Sequence, residues 1–269
     1  MDVIGRNNVT VTGRSDAPTL LLAHGFGCDQ NLWRLVLPTL AERFRVVLFD
    51  YVGSGRADPT AWDRARYSSL DGYAEDVLEI CAALDLTDAV FVGHSVSAMV
   101  GVLAAAREPE RFAKLVMLAP SPRYIDDPAA GYVGGFTAED IDELLESLDS
   151  NYLGWSAAMA PVIMGNPERP ELGQELTNSF CATDPAMAAV FARTTFLSDT
   201  RAELASVTVP TLVLDCTTDV IAPREVGAFV HAAVPGSRLV TLAATGHCPQ
   251  LSAPEATAEQ IVAFAGAPR

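Results

Sequence analysis

The sequence predicts an α/β protein: a mostly parallel, doubly wound sheet interrupted by a helical insertion. Three observations predict it. Short apolar runs alternate with longer helical patterns over the first 120 residues. These runs are apolar almost throughout, as parallel strands covered on both faces require, and do not alternate polar with apolar. The alternation then stops after Pro120 and resumes near residue 208.

Taken in order, the strand-like runs are TLLLAH (19–24), RVVLFD (45–50), AVFVGH (89–94) and KLVMLA (114–119). Helical patterns fall between them at about 29–43, 70–85 and 96–106, which implies βαβ crossovers. From 121 to 207 no strand-like run occurs, only helical patterns broken by Pro and Gly in PSPRY, GYVGGF and GNPERP. Strands return at TLVLDC (211–216) and RLVTLA (238–243), with helices near 223–233 and 254–265. The expected organisation is an α/β core of residues 1–120 and 208–269. A helical lid, 121–207, lies over the carboxyl edge of the sheet, where open α/β folds bind ligands.

Composition narrows the function. The chain has 269 residues, 49% of them hydrophobic, enough to bury a large core. Its 18 basic and 34 acidic residues give a net charge of −16. That charge disfavours nucleic acid and anionic lipid as partners, because no basic patch offsets it. No run approaches the ~18 apolar residues of a membrane span, and the start lacks a secretory pattern. The five cysteines are odd in number and show no CxxC pair, which argues against a disulfide framework and a zinc site. A cytoplasmic protein without metal or organic cofactor is expected.

The chemistry-bearing stretch is AVFVGHSVSAMVGVLAAA, 89–106. A buried strand runs into Gly93-His94-Ser95-Val96-Ser97 and then into a helix of small residues. In a G-x-S-x-G elbow the serine sits on a sharp strand-to-helix turn with its Oγ exposed above the sheet. Here Ser97 replaces the last glycine. An ordinary serine at a helix start would explain the motif alone, but two further features argue against that. His24-Gly25-Phe26-Gly27 follows the strand TLLLA, so the amides of Phe26 and Val96 are candidates for an oxyanion hole. The partners also follow in the order this arrangement needs, acid then histidine. His247 falls in the loop ATGHCPQLS after the last strand and is favoured over His231, which lies in a helical pattern. Asp219 falls beyond the end of TLVLDC and is favoured over Asp215 within it. Cys248 reads as a buried thiol.

These residues resemble the α/β-hydrolase family, and one branch of it. GHSVSAM, REPERFAKLVMLAPSPRY, MGNPERPEL, SFCATDP and ATGHCPQLSAP are similar to segments of bacterial RsbQ-type stress regulators and of plant strigolactone and karrikin receptors. The resemblance runs from about Asn7 to about Ala265. It implies a V-shaped four-helix lid over a hydrophobic pocket, with Ser95, His247 and Asp219 at its floor. Phe26, Tyr124, Phe136, Trp155, Met159 and Phe196 are the implied pocket residues. Asp215 and Gln250 depart from the branch, which often has Gln and His there.

The expected function is a serine hydrolase that cleaves a small hydrophobic ester or lactone, with an RsbQ-like stress-signalling role. The alternative is a slow sensor of a small apolar molecule that acts through a protein partner of the sensor-phosphatase type. A third reading is a cofactor-free haloperoxidase or C–C bond hydrolase, although those usually keep Gly at the position of Ser97.

Overall fold

The computed structural model describes residues 2–267; residues 1, 268 and 269, at the extreme ends of the two expected core segments, lie outside it. Seven strands form one sheet: β1 Thr10–Gly13, β2 Thr19–Ala23, β3 Arg45–Leu48, β4 Ala89–His94, β5 Phe112–Leu118, β6 Thr211–Thr218 and β7 Arg238–Thr245. Their order across the sheet is β1-β3-β2-β4-β5-β6-β7. Only the β1–β3 pair is antiparallel.

Twelve α-helices accompany the strands: α1 Val3–Arg6, α2 Leu37–Ala41, α3 Arg64–Tyr67, α4 Leu70–Ala83, α5 Val96–Arg107, α6 Ala138–Ser150, α7 Tyr152–Met164, α8 Pro170–Cys181, α9 Pro185–Phe196, α10 Arg224–Ala233, α11 Pro249–Ser252 and α12 Pro254–Gly266.

Alternate residues of each central strand serve two separate cores. Leu21, Val47, Phe91, Leu115 and Val213 face one side, with Val77 of α4, Val100 of α5 and Val230 of α10. Leu20, Val46, Val92, Val116 and Leu212 face the other, with Leu40 of α2 and Ile261 of α12. Full coverage on both faces is why these strands read as continuous apolar runs. The single lysine, Lys114 of β5, is buried and donates from Nζ to the carbonyls of Phe264 (2.8 Å) and Ala265 (3.3 Å). It thus places positive charge on the last carbonyls of α12.

One local expectation is corrected. The helical pattern at 29–43 forms a 3₁₀ turn, Gln30–Trp33, and the separate short helix α2. Pro38, at the start of α2, cannot donate the backbone bond that would join them. The strand β1 had no signature: its four residues, TVTG, are all exposed on the sheet edge.

Helices α6, α7, α8 and α9 all fall between β5 and β6. Helix α7 packs on α8, and α6 packs on both α7 and α9. Their inner faces share a third core with the loops beyond the strands, joining Leu145, Ile163, Leu176 and Ala192 to Cys28, Ile221 and Leu251.

Candidate active site

Ser95 lies between β4 and α5 with φ +57° and ψ −126°, a backbone conformation that a non-glycine residue adopts only at a cost of about 1–3 kcal/mol. Neighbouring contacts hold it there. The Ser95 amide donates to the Leu118 carbonyl (2.8 Å), and the Ala98 amide donates to the Ser95 carbonyl (2.9 Å). A Cβ on Gly93 would sit 2.4 Å from the Ser97 carbonyl oxygen, and one on Gly25 would sit 2.8 Å from His94 Nδ1. Both positions need glycine because strand, helix and the loop after β2 converge on the serine.

Ser97 is accommodated by hydrogen bonding. Its hydroxyl donates to the His24 carbonyl and lies 2.9 Å from the Tyr51 hydroxyl. His24 is buried with Nδ1–H donating to the Gly25 carbonyl (2.9 Å), while Nε2 accepts from the Tyr51 amide (3.2 Å). That departure from a glycine is therefore satisfied beneath the elbow, away from the serine hydroxyl.

The structure brings Ser95, His247 and Asp219 together. The Ser95 hydroxyl donates to His247 Nε2 (2.7 Å), and His247 Nδ1–H donates to Asp219 Oδ2 (2.7 Å). The carboxylate can only accept, which fixes the imidazole tautomer. The second oxygen of Asp219 accepts from the amides of Ile221 (2.8 Å) and Ala222 (3.1 Å). Burial pushes the Asp219 carboxyl up, but the His247 ring and the two amides outweigh it and hold it below its ordinary range. Asp215, on β6, is buried with its carboxylate against Gly227 of α10, and burial raises its carboxyl. His231 lies on α10 and bonds Ser237.

The chain around His247 is tied to α7. The His247 amide donates to the Ile163 carbonyl (2.9 Å), and the Asn166 side chain bridges the carbonyls of Met164 (2.8 Å) and Thr245 (2.9 Å). Gly246, at φ +88°, passes so close to α7 that a Cβ would strike the Met164 carbonyl.

Above Ser95 lies a cavity of about 30 Å³, room for about two water molecules. Phe26, Tyr124 and Phe196 line it. Trp155 instead stands one layer back, stacked between Tyr152 and Phe180 at interplanar angles of 15° and 14°. Phe136 and Met159 pack at the margin of the third core and are not among the residues lining the cavity. The wall also includes Cys28, Ile163, Leu176, Phe180, Thr195 and Ile221, with buried Cys248 beside His247. Leu172, Leu176 and Phe180 recur at i, i+4, i+8 along α8, a readable signal for an inward face. Nothing in the pattern distinguished the loop residues. The Tyr124 hydroxyl stands 3.4 Å from Ser95 Oγ, and burial pushes its phenol up, so it is a neutral donor.

Phe26 sits in a turn closed by the Cys28 amide on the Gly25 carbonyl (3.3 Å), with Gly27 at φ +70°. Its ring centroid lies 5.6–6.2 Å from those of Trp155, Phe180, Phe191 and Phe196. Val96 opens α5, so its amide has no carbonyl four residues back inside the helix. Among the described residues no group of three or more His, Cys, Asp or Glu is placed to hold a metal ion. No helix there is long and apolar enough to cross a membrane.

A sequence model of the Alpha/beta hydrolase family matches residues 20–260. The chain is 41% identical over 244 residues to the Karrikin insensitive 2 receptor IA of Petunia hybrida, covering 90% of this chain and 88% of that protein. It is 39% identical over 253 residues to the Strigolactone esterase D14 of Arabidopsis thaliana, covering 94% and 93%. Among solved structures, a hydrolase from Oleispira antarctica superposes with a TM-score of 0.96 at 42% identity, over 99% of this chain and 97% of that one. The chain therefore belongs to the alpha/beta hydrolase family, in the branch of the strigolactone and karrikin receptors.

Proposed function

We propose that this protein is a serine hydrolase that opens a small hydrophobic ester or lactone through an acyl-enzyme. The observation that carries the reading is the unbroken chain from Ser95 Oγ through His247 to Asp219, at 2.7 Å in both links. In the first step His247 Nε2 takes the hydroxyl proton as Oγ bonds to the substrate carbonyl carbon. Asp219 holds the imidazole in the tautomer that can accept it. The amides of Phe26 and Val96 receive the negative charge on the carbonyl oxygen, one such donor being worth about 3 kcal/mol or more. The C–O bond to the leaving oxygen then breaks, and that oxygen takes the proton from His247. Water, deprotonated by the same ring, releases the acid and restores Ser95. In a lactone both products remain one molecule.

Substrate character follows from the wall. Among the described residues no Lys, Arg, Asp or Glu lines the cavity, and the protein carries a net charge of −16. An uncharged, compact, largely apolar ligand fits this setting.

The relatives' names include both receptors and esterases, which favours a second reading in which turnover is slow and a protein partner reads the bound state. One experiment separates the two. Wild type and Ser95→Ala are followed with 4-nitrophenyl acetate and a butenolide, recording product and intact mass together. Sustained turnover that the mutation abolishes supports a hydrolase. A single burst with a lasting mass adduct supports the sensor. Wild-type activity in Ser95→Ala would refute the assignment.

A further inference from the structure

Most buried hydroxyls in the helices of this chain have an evident partner. Ser156 and Thr257 donate to the carbonyl four residues back, at 2.8 and 2.9 Å. Thr194 donates to the Tyr67 carbonyl (3.0 Å). Thr195, the next residue on α9, differs. It is 1% exposed, its Oγ1 has no hydrogen-bond partner, and it lines the cavity over Ser95.

An unpartnered buried hydroxyl is costly, and valine would fill the same volume without the penalty. The other polar atoms on the wall are committed or screened. The hydroxyls of Ser95 and Tyr124 address each other and His247. The unpartnered Nδ1 of His94 is shut behind Gly25, where even a Cβ would come within 2.8 Å. Thr195 alone on that wall offers a hydroxyl with no other use.

We infer that the Thr195 hydroxyl is a specificity-determining group that bonds a second oxygen of the ligand, away from the carbonyl attacked by Ser95. The inference rests on the hydrolase reading for which carbonyl is attacked. It narrows the ligand class to small uncharged lactones or esters that carry one additional ether or carbonyl oxygen. A site built around a polar contact discriminates against the analogue that lacks it more sharply than an apolar wall does.

The test uses isosteric butenolides in which a methoxy group at C3 or C4 of furan-2(5H)-one is replaced by ethyl, exchanging one oxygen for a methylene. Dissociation constants are measured by calorimetry in the Ser95→Ala protein, alone and combined with Thr195→Val or Thr195→Ser. The expected result, at one of the two ring positions, is that Thr195→Val weakens the methoxy lactone about tenfold. The ethyl lactone should change less than about twofold, and Thr195→Ser should keep the preference for oxygen. Equal effects on both members of each pair, or loss of the preference in the serine variant too, overturns the inference. Because binding is read without the nucleophile, turnover plays no part in the result. A wild-type protein that cleaves no ester but keeps a Thr195-dependent preference would defeat the hydrolase reading alone.

Discussion

His94 donates from Nε2 to the backbone carbonyl of His247 at 2.8 Å. The residue before the elbow serine therefore holds the chain segment that carries the imidazole facing that serine, with the two rings 5.1 Å apart. A carbonyl oxygen can only accept, so Nε2 carries a proton, and the buried ring with its unpartnered Nδ1 is neutral.

Burial, aided by the nearby His247, pushes His94 down to about 3. In the unfolded chain it would titrate near 6.5. Between those values the unfolded state binds more protons, so stability falls as pH is lowered through that window. From pH 7 to 5 this one group should remove about 2 kcal/mol. Denaturant unfolding of wild type and His94→Gln at both pH values checks it, and the variant should lose less stability by about that amount. Equal losses would mean that His94 is not held neutral.

Asp219→Asn should lower kcat by on the order of 10³–10⁴, because the amide cannot fix the donating tautomer of His247. Asp215→Asn should change it by less than about threefold, since that carboxylate faces Gly227. Asp219 is held below its ordinary range in the fold. Its contribution to stability is thus present above about pH 4 and is lost as pH falls through its lowered folded value. Comparing the two variants in one ester assay decides between the acids.

Ser97→Gly restores the glycine of the elbow motif and should nevertheless destabilise the protein. It strips the Tyr51 hydroxyl of a buried partner and puts glycine inside a helix, about 2 kcal/mol together. A fall in Tm of roughly 4–8 °C with kcat nearly unchanged is expected. An unchanged Tm would show that the Ser97 hydrogen bonds contribute nothing.

Gly27→Ala places a Cβ at φ +70° and 2.3 Å from the Phe180 ring. The turn must shift and carry the Phe26 amide with it. If the Phe26 amide is an oxyanion donor as proposed, kcat should fall by on the order of 10². The measurement is kcat and KM on an activated ester; a change in KM alone would point to the aromatic wall instead.

The parts of this protein legible in its sequence are those governed by local physics. Double-sided burial writes continuous apolar strands such as AVFVGH, and steric crowding writes Gly93 and Gly25 around Ser95. Chain order then singled out His247 and Asp219, which the fold does bring together. Other features depend on partners far away in the sequence. Strand β1 forms because an exposed edge of β3 accepts it, which TVTG does not announce. Trp155 and Phe180 are both apolar helical residues, and only the stacking of one behind the other decides which of them reaches the cavity. Thr195 reads as an ordinary helical threonine until the structure shows its hydroxyl unmet.

The bonds between α7 and the His247 segment have a mechanical consequence. The cavity over Ser95 is narrow, and Ile163 at the end of α7 is part of its wall. Yet the carbonyl of Ile163 is what holds the His247 amide. A guest that displaced Ile163 would therefore also move the His247 backbone. On the hydrolase reading, chamber width and the alignment of Ser95 with His247 are therefore coupled through one backbone bond.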